Sequence, residues 1–269
     1  MKQILFVVFL CLTLLAQVAC EKSEVSEFTD TPIIEAYLEP GDYFSVQISR
    51  QIPFSENVQY SDDDIDNLTL TVTYSGGTHL LTPLGNGEYI DSSIIVAEGE
   101  NYSISFQFNS KFVSAYTYIP SKPQSMTQSA LQIAIEKVDS TSGPPSETSM
   151  PDPININWTN SDGSYYLLLV ENIESTLEPI RDFGDDAPPG NRFRKSPTNL
   201  DIEEIRAMDF QYYGTHRIIL YHVLPDYATL YDSNSTSSQN LSNPSTSILN
   251  GYGIFTGLNS DTLFVEVTE

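Results

Sequence analysis

An acidic cluster at positions 62 to 66 is the densest group of potential metal ligands in the sequence. Asp62, Asp64 and Asp66 have the alternate spacing that opens an EF-hand calcium loop. The sixth position of such a loop is normally Gly and here is Asn67, and the twelfth is normally Glu and here is Thr73. An EF-hand is therefore excluded. Two interpretations stay open: a calcium site completed by oxygen ligands from elsewhere in the fold, and a solvated acidic loop without a metal.

Tyrosine and arginine residues in the second half of the chain are the best candidates for contacting a ligand. Tyrosine covers a large area at a low cost in side-chain entropy, which favours it at binding surfaces. Arg192, Arg194 and Lys195 form a basic cluster in a predicted loop, where they could pair with an acidic partner. The alternative for the tyrosines is packing inside a β-sandwich. The candidate ligand-binding residues are Tyr165, Arg192, Arg194, Tyr212, Tyr213, Tyr227 and Tyr231.

No constellation in the sequence indicates catalysis. His79, His216 and His222 lack a short metal-binding spacing. The last two are six residues apart, which on a strand separates them by roughly 20 Å. There is no Gly-x-Ser-x-Gly nucleophile elbow, and carboxylates are so abundant that pairs of them do not indicate a glycosidase. We therefore expect a non-enzymatic protein without a cofactor, with calcium as the one open question.

The spacing of apolar residues predicts that β-strands position these side chains. Between residues 31 and 119, apolar and polar residues alternate in several short runs, which is the pattern of half-buried strands. Phe44–Ile48 and Tyr102–Phe108 show the alternation clearly, and the pair Gly76 and Gly77 marks a hairpin turn. No run in this part has a helical period. We expect residues 31–119 to form an N-terminal antiparallel sandwich, immunoglobulin-like or fibronectin-like.

A second β-sandwich is predicted over residues 130–269, after a polar joint at residues 120–129. Ile154–Trp158 and Tyr165–Glu171 have the composition of two strands paired around a turn, and Arg217–Leu224 reads as a further strand. The only tryptophan, Trp158, is expected to fill the second core.

Two short helical insertions are expected within the second sandwich. Asn199–Asp209 places three apolar residues on one face of a helix, and Pro225–Tyr231 carries two tyrosines four residues apart. The predicted fold class is therefore all-β, with two antiparallel sandwiches, long loops, and short helices confined to the second sandwich.

The first residues have the layout of a secretory signal peptide. A basic residue is followed by the apolar stretch Ile4–Ala16, which is too short to span a membrane, and the small residue Ala19 precedes Cys20. Cleavage there makes Met1–Ala19 the signal peptide and leaves Cys20 as the sole cysteine. The segment resembles the lipobox of bacterial lipoproteins, with Gln17 where Leu is usual, and this predicts lipidation of Cys20. The alternative is ordinary cleavage that leaves a free thiol.

The net charge restricts the partners of the protein. A formal charge of −24 repels the phosphates of nucleic acids and the headgroups of anionic lipids, so we expect no nucleic-acid partner. The expected contact with a membrane is through acyl chains on Cys20, followed by a flexible tether over Cys20–Asp30. The acidic residues of this tether resemble the tag that directs Bacteroidota lipoproteins to the outer leaflet. We therefore expect an outer-membrane address facing the cell exterior.

Five stretches of the chain resemble one known family, the Bacteroidota lipoproteins grouped as domain of unknown function 4249. They are Pro32–Gly41, Gly87–Tyr102, Asn157–Ile173, Asp226–Tyr231 and Asn250–Gly257. Their order and spacing cover nearly the whole chain after the signal peptide. The resemblance implies an outer-membrane lipoprotein with immunoglobulin-like sandwiches, usually encoded beside a TonB-dependent transporter. It implies no enzymatic activity and supplies no functional residues.

The sequence-based expectation for function is an accessory lipoprotein that captures ligand for, or caps, a TonB-dependent outer-membrane transporter. The alternative is an adhesive or structural surface module that binds a host or matrix protein, and a hydrolase is a third and weaker hypothesis. Two short motifs resemble the O-glycosylation motif of Bacteroidota secreted proteins, one with Ser140 as the acceptor and one with Thr262.

Overall fold

A computed structural model describes residues 30–51, 63–137, 150–181, 190–230 and 247–269. Within these ranges the regular secondary structure is almost entirely β, with several antiparallel sheets, which confirms the prediction of an all-β protein. The strands are β1 (Pro32–Leu38), β2 (Tyr43–Arg50), β3 (Thr71–Tyr74), β4 (Gly77–Leu80), β5 (Thr82–Gly85), β6 (Glu88–Ile95), β7 (Asn101–Phe108), β8 (Lys111–Tyr118), β9 (Gln124–Gln128), β10 (Gln132–Ala134), β11 (Ile154–Thr159), β12 (Tyr165–Asn172), β13 (Glu178–Pro179), β14 (Arg192–Arg194), β15 (Ile202–Ile205), β16 (Tyr212–Val223) and β17 (Tyr252–Thr268).

Helical structure in the described ranges is limited to short turns. Asp63–Asp66 and Pro225–Thr229 are α-helical, and Ala207–Asp209 is a single 3-10 turn. No helix among the described residues has the length and apolar character needed to cross a membrane.

One large sheet forms the backbone of the fold. Its main path runs β14-β12-β16-β17-β1-β2-β6-β5, with β10 paired to β17 and β13 paired to β16. A four-stranded sheet, β4-β3-β7-β8, and a three-stranded sheet, β15-β11-β9, complete the architecture.

The first hydrophobic core lies between one end of the large sheet and the four-stranded sheet. Inward residues alternate along each strand, as period-2 patterning requires. β1, β2 and β6 contribute residues such as Ile34 and Phe44, while β7 and β8 contribute residues such as Tyr102 and Val113. The rings of Phe44 and Tyr102 are 5.5 Å apart across this core.

The second hydrophobic core lies between the other end of the large sheet and the three-stranded sheet. β12, β16 and β17 supply residues such as Leu168 and Leu220, and β11 supplies Ile156 and Trp158. Trp158 is 5% exposed and packs on the ring of Tyr166 at 5.4 Å, so its expected place in the second core is confirmed.

Strand β17 is shared by the two cores. Its first part runs parallel to β1, and most of its length pairs antiparallel with β16. Phe255 belongs to the first core, whereas Val265 and Val267 belong to the second. Two glycines allow the close approach of its neighbours: a Cβ at Gly253 would lie 2.0 Å from the carbonyl oxygen of Ile34, and a Cβ at Gly257 would lie 2.1 Å from that of Tyr118.

The helix predicted over Asn199–Asp209 is wrong. Ile202–Ile205 is strand β15, which pairs antiparallel with β11, and only Ala207–Asp209 turns helically. Ile205 is fully buried opposite Ile154, whereas Met208 is 48% exposed, so the apolar residues do not share one buried face. Backbone pairing with β11 satisfies more polar groups here than one isolated helical turn would.

The pairing predicted between Ile154–Trp158 and Tyr165–Glu171 is also wrong. Both segments are strands, but β11 belongs to the three-stranded sheet and β12 to the large one. The turn between them carries the chain from one layer of the second core to the other. The polar stretch 120–129 likewise contains strand β9, which pairs with β11.

Candidate ligand-binding groove

A groove of about 580 Å³ lies on the face of the large sheet that is turned away from the second core. Its volume is in the range of roughly 300–1,000 Å³ that is usual for small-molecule sites. The side chains and backbone that line it belong to Tyr37, Glu39, Leu167, Leu169, Arg192, Phe193, Arg194, Tyr221, Val223, Tyr227 and Leu258.

The apolar floor of the groove comes from the outward positions of β12 and β16. In β12, Tyr166, Leu168 and Val170 point into the second core, so the intervening Leu167 and Leu169 point to the opposite face. The register pairs Leu167 with Tyr221 and Tyr165 with Val223, which places these side chains in adjacent rows across the sheet.

A helical turn, Pro225–Thr229, covers one end of this floor. Asp226 anchors the turn, because its Oδ1 accepts hydrogen bonds from the backbone N–H of Tyr227 at 2.8 Å and from Oγ1 of Thr256 on β17 at 3.0 Å. Ala228 packs with Leu167, Val223 and Leu258 in a small cluster of its own.

Two tyrosines form the wall at this end. The ring of Tyr227 meets the ring of Tyr37 edge to face at 5.9 Å. This geometry is favourable for aromatic pairs and holds both rings at the side of the groove.

The two arginines stand at the opposite end, on strand β14. Arg194 pairs with Leu169 and Arg192 with Glu171, so both guanidinium groups are on the groove side of the sheet. Phe193 between them points the other way and meets Phe210 of the second core at 5.9 Å. The expectation that this basic cluster lies in a loop is therefore wrong, because the burial of Phe193 draws the segment into the sheet as an edge strand.

The third basic residue of the cluster is directed elsewhere. Nζ of Lys195 lies 2.7 Å from Oδ2 of Asp209, and this ion pair ties the end of β14 to the 3-10 turn. Only Arg192 and Arg194 of the cluster therefore line the groove.

Acidic groups near the groove are partly neutralised by their surroundings. Glu171 lies in the same row as Arg192, but its Oε2 accepts a hydrogen bond from Arg217 at 2.6 Å. Burial, and secondarily the nearby Asp42 carboxylate, raises the pKa of Glu39 above its usual value. Burial, followed by the charge of Glu39, raises the pKa of Tyr221.

Three of the seven candidate ligand-binding residues meet in this groove: Arg192, Arg194 and Tyr227. Tyr165 is on the same face of β12, is 37% exposed, and lies outside the lining. Tyr212 and Tyr213 are 4% and 7% exposed. The hydroxyl of Tyr213 donates to the carbonyl oxygen of Ile135 at 2.8 Å, an arrangement that suits a core residue.

Sequence reasoning missed the groove floor and its far wall. Leu167, Leu169, Tyr221 and Tyr37 were not singled out, although one signal was present. Tyr165–Val170 is apolar at every position, which indicates a strand covered on both faces, so something other than solvent was to be expected on the outer one.

The remaining candidate positions lie apart from the groove or outside the described residues. Cys20, Asp62, Ser140 and Tyr231 lie outside the described residues, as does the side chain of Asp64. Thr262, the other proposed glycosylation site, is partly buried in β17 opposite Ile219.

No metal site is formed by the described residues: they contain no group of three or more His, Cys, Asp or Glu placed to hold an ion. Asp66 uses its Oδ1 to accept a hydrogen bond from the backbone N–H of Gly87 at 2.5 Å. This contact anchors the short helix to the turn before β6, which is a structural role for the carboxylate.

The histidines occupy separate structural positions. Nδ1 of His216 is 3.0 Å from the carbonyl oxygen of Gly214, and Nδ1 of His222 is 2.8 Å from that of Ser121. Both rings are buried, and burial lowers the pKa of His216. Nδ1 of His79, in the other half of the fold, lies 3.0 Å from Oδ2 of Asp91.

The model of the domain of unknown function 4249 matches residues 22–263, which is nearly the whole chain. This protein belongs to that family. The match confirms the resemblance to this domain family that the sequence suggested. No curated protein sequence matches the chain.

One solved structure shows a loose similarity to the chain. A mutant of Salmonella alpha-2-macroglobulin aligns over 90% of this chain and 15% of its own, with 10% sequence identity and a TM-score of 0.25. At this level the alignment defines neither a shared fold nor a shared function.

Proposed function

We propose that this protein is a non-enzymatic surface lipoprotein that captures a small ligand in the groove and presents it to a TonB-dependent transporter of the outer membrane. The observation that carries the proposal is the groove itself, which combines an apolar floor with two arginines at one end. Binding sites for small molecules typically have this composition, with apolar walls and a few polar groups that fix orientation.

The rigidity of the sheet supports a binding role. The groove floor is built on β12 and β16, which are paired along their full common length and packed on the second core. A site on such strands is held in place before the ligand arrives, so less ordering entropy is lost on binding.

The N-terminal features support a location at the membrane surface. Acyl chains on Cys20 would attach the protein, and the Cys20–Asp30 tether would let the groove reach a neighbouring transporter. The family resemblance supports a TonB-dependent transporter as that neighbour.

Co-purification tests this proposal. The full chain, tagged and expressed at its native level, is solubilised with its membrane in mild detergent and recovered by affinity. We expect a β-barrel transporter to be recovered with it, and a Cys20→Ser variant, which cannot be acylated, to lose this partner. Repeated recovery of the full chain without any barrel protein would overturn the proposal.

A second candidate function, adhesion to another protein, is supported by a different surface. Apart from Lys111 at the start of β8, no exposed residue of β3, β4, β7 or β8 is charged, which is notable in a chain with 36 acidic residues. We call this surface the uncharged face; its residues are Thr71, Thr73, Thr78, Leu80, Asn101, Ser103, Ser105, Gln107, Phe112, Ser114, Tyr116 and Tyr118.

Exposed aromatic residues give the uncharged face its adhesive potential. Phe112, Tyr116 and Tyr118 are 51%, 69% and 48% exposed along one edge strand. Such residues are enriched in protein interfaces. If the protein is an adhesin, Tyr116→Asp should abolish attachment of whole cells to the bound matrix protein, while transport of the groove ligand stays unchanged. Attachment that survives this change would exclude the uncharged face as an adhesive surface.

A further inference from the structure

The two middle strands of the uncharged face carry a row of short hydroxyl side chains. Val72 of β3 is buried in the first core, so its neighbours Thr71 and Thr73 point outward. The register places Ser105 of β7 beside Thr71 and Ser103 beside Thr73. Because all four outward side chains are short, the centre of the face is a shallow floor lined with hydroxyl groups.

Hydrogen bonds between strands hold these hydroxyls in place. Oγ1 of Thr71 lies 3.0 Å from Oγ of Ser105, and the Oγ1 atoms of Thr73 and Thr78 are 2.9 Å apart. A hydroxyl has one proton to donate and two lone pairs that accept, so each pair keeps lone pairs for a ligand. In the pair of threonines, one hydroxyl donates to the other, and the second proton is left for a ligand. The floor can therefore both accept and donate hydrogen bonds.

Strand β8 adds an aromatic rim along one side of this floor. Phe112 pairs with Gln107 and Tyr116 pairs with Ser103, so both rings stand on the outward face beside the hydroxyl groups. Four residues separate the two rings along the strand, which is roughly 13 Å at about 3.3 Å per residue. Both side chains are more than half exposed, so their rings offer apolar surface to a ligand that lies along the strand.

Charged groups near β8 are found at the two ends of the strand. Lys111 is its first residue. At the other end, burial, followed by the charges of Asp162 and Asp226, raises the pKa of Tyr118, so these carboxylates lie near that end. Between Phe112 and Tyr116, a charged ligand finds no ion-pair partner on the face, and the negative charge of the chain repels anions.

The composition of the uncharged face fits a carbohydrate better than a protein. Protein interfaces are enriched in arginine and depleted in serine, whereas this face has three outward serines, Ser103, Ser105 and Ser114, and no arginine. A sugar ring has hydroxyl groups at its edge and C–H groups on its faces. The slightly positive C–H groups pack on the negative face of an aromatic ring, and the hydroxyl groups need uncharged donors and acceptors. The rim and the floor provide these two kinds of contact side by side.

We propose that the uncharged face binds an uncharged polysaccharide, which extends along β8 with sugar rings packed on Phe112 and Tyr116 and hydroxyl groups bonded to Thr73 and its neighbours. This inference does not depend on ligand capture in the groove. It also gives the uncharged face a different partner from the protein of the second candidate function. Because no ion pair forms, the affinity should not depend on salt concentration.

Affinity electrophoresis tests this inference directly. The full chain carrying Cys20→Ser is run through native gels that contain amylose, galactomannan, xyloglucan or laminarin, which are uncharged, or polygalacturonate, which is anionic. We expect slower migration in at least one of the uncharged polysaccharides and none in polygalacturonate. Calorimetric titration with oligosaccharides of the retarding polysaccharide, at low and at high salt, should give affinities that agree within about twofold.

Two variants separate the contact with the rim from the contact with the floor. Tyr116→Ala removes a ring and should weaken binding by about tenfold or more. Thr73→Val keeps the shape of the side chain but removes its hydroxyl, and should weaken binding by about threefold or more. The matched control is Tyr43→Ala, which removes a tyrosine that is 54% exposed on β2 of the large sheet and should change nothing.

Each other outcome is informative. If a folded chain is retarded by none of the uncharged polysaccharides, or if Tyr43→Ala weakens binding as much as Tyr116→Ala does, the carbohydrate site is disproved. If no polysaccharide binds but Tyr116→Asp abolishes attachment to a matrix protein, the face binds protein instead. If no polysaccharide binds and Tyr116→Ala turns a dimer into a monomer in sedimentation, the face joins two copies of the chain. Retardation that Tyr116→Ala removes and Tyr43→Ala preserves supports the carbohydrate site, whether or not a transporter co-purifies.

Discussion

Gly257 is the position where a single methyl group should damage the fold most clearly. A Cβ at this residue would lie 2.1 Å from the carbonyl oxygen of Tyr118 and 2.8 Å from Cδ1 of Ile119. Ordinary contact begins at 3.4 Å, so the backbone of β8 would have to retreat by about 1.3 Å. That backbone is fixed, because the N–H of Gly257 donates to the buried Oγ1 of Thr117 at 2.9 Å.

The expected cost of Gly257→Ala is about 3 kcal/mol, at the upper end for overpacking because backbone rather than a side chain must move. For a protein of this size, that corresponds to a fall in thermal midpoint of roughly 6–12 °C. The measurement is calorimetric unfolding of the full chain carrying Cys20→Ser, with and without the change.

Two other glycines serve as controls. Among the described residues, Gly190→Ala meets no atom within 4 Å and should be silent. Gly41→Ala also meets no atom in the described part of the chain, but its φ is +97°, so it isolates backbone strain at about 1–2 kcal/mol. If Gly257→Ala unfolds within about 1 °C of the unchanged protein, β8 and β17 do not approach as described, and the reasoning is refuted.

Three further changes test the packing and the titrating groups. Leu168→Ala should lower the free energy of unfolding by about 2–4 kcal/mol because it opens a cavity in the second core, whereas Leu169→Ala on the groove floor should lower it by about 1 kcal/mol or less. Equal losses in urea unfolding would contradict the placement of these two residues on opposite faces of β12. Burial lowers the pKa of His216 in the folded protein, so below the usual histidine value of 6.5 the unfolded chain binds more protons and stability decreases as the pH is lowered. His216→Gln should therefore flatten the dependence of the thermal midpoint on pH between pH 7 and 5, and an unchanged slope would rule this out. Burial raises the pKa of Asp226 in the folded protein, so ionisation of this carboxyl, as the pH rises through that pKa, destabilises the fold. In Asp226→Asn the side-chain Oδ1 still accepts the hydrogen bond from Thr256, but no charge is buried. The variant should therefore have a higher thermal midpoint at pH 7, and this gain should vanish toward pH 4.

Period-2 patterning made much of the fold predictable. Phe44–Ile48 and Tyr102–Phe108 alternate cleanly because one face of each strand is buried and the other is solvated. The lone tryptophan was also predictable, since a ring of that size in a strand segment favours burial.

Pairing between strands was harder to predict than the strands themselves. The segments β11 and β12 looked like a hairpin because they are close in sequence, but each is completed by strands that are distant in the chain. Ile202–Ile205 looked helical because isoleucines three residues apart lie on the same face of a helix, whereas in strand β15 they point to opposite faces. The partner strand decided the outcome, and single-segment patterns contain no information about partners.

The groove was only partly predictable for the same reason. The chemistry of arginine and tyrosine side chains made Arg192, Arg194 and Tyr227 recognisable as candidates in the sequence. By contrast, Tyr37 and Leu258 line the groove because the strand order of the sheet places β1 and β17 beside it. Tyr212 and Tyr213 illustrate the opposite error, because a tyrosine favoured at interfaces is equally suited to a core in which its hydroxyl finds a carbonyl.

The shared strand β17 sets the order in which this protein can assemble. Its partner β1 is synthesised first among the described strands, yet the pairing of Ile33 with Tyr252 must wait for nearly the whole chain. Contacts of such sequence separation close slowly because loop entropy is lost before any stabilisation is gained. Until β17 arrives, the first core lacks Phe255 and the second lacks Val265 and Val267, so neither half is complete. We therefore expect the chain to complete its fold only after this last strand has been synthesised.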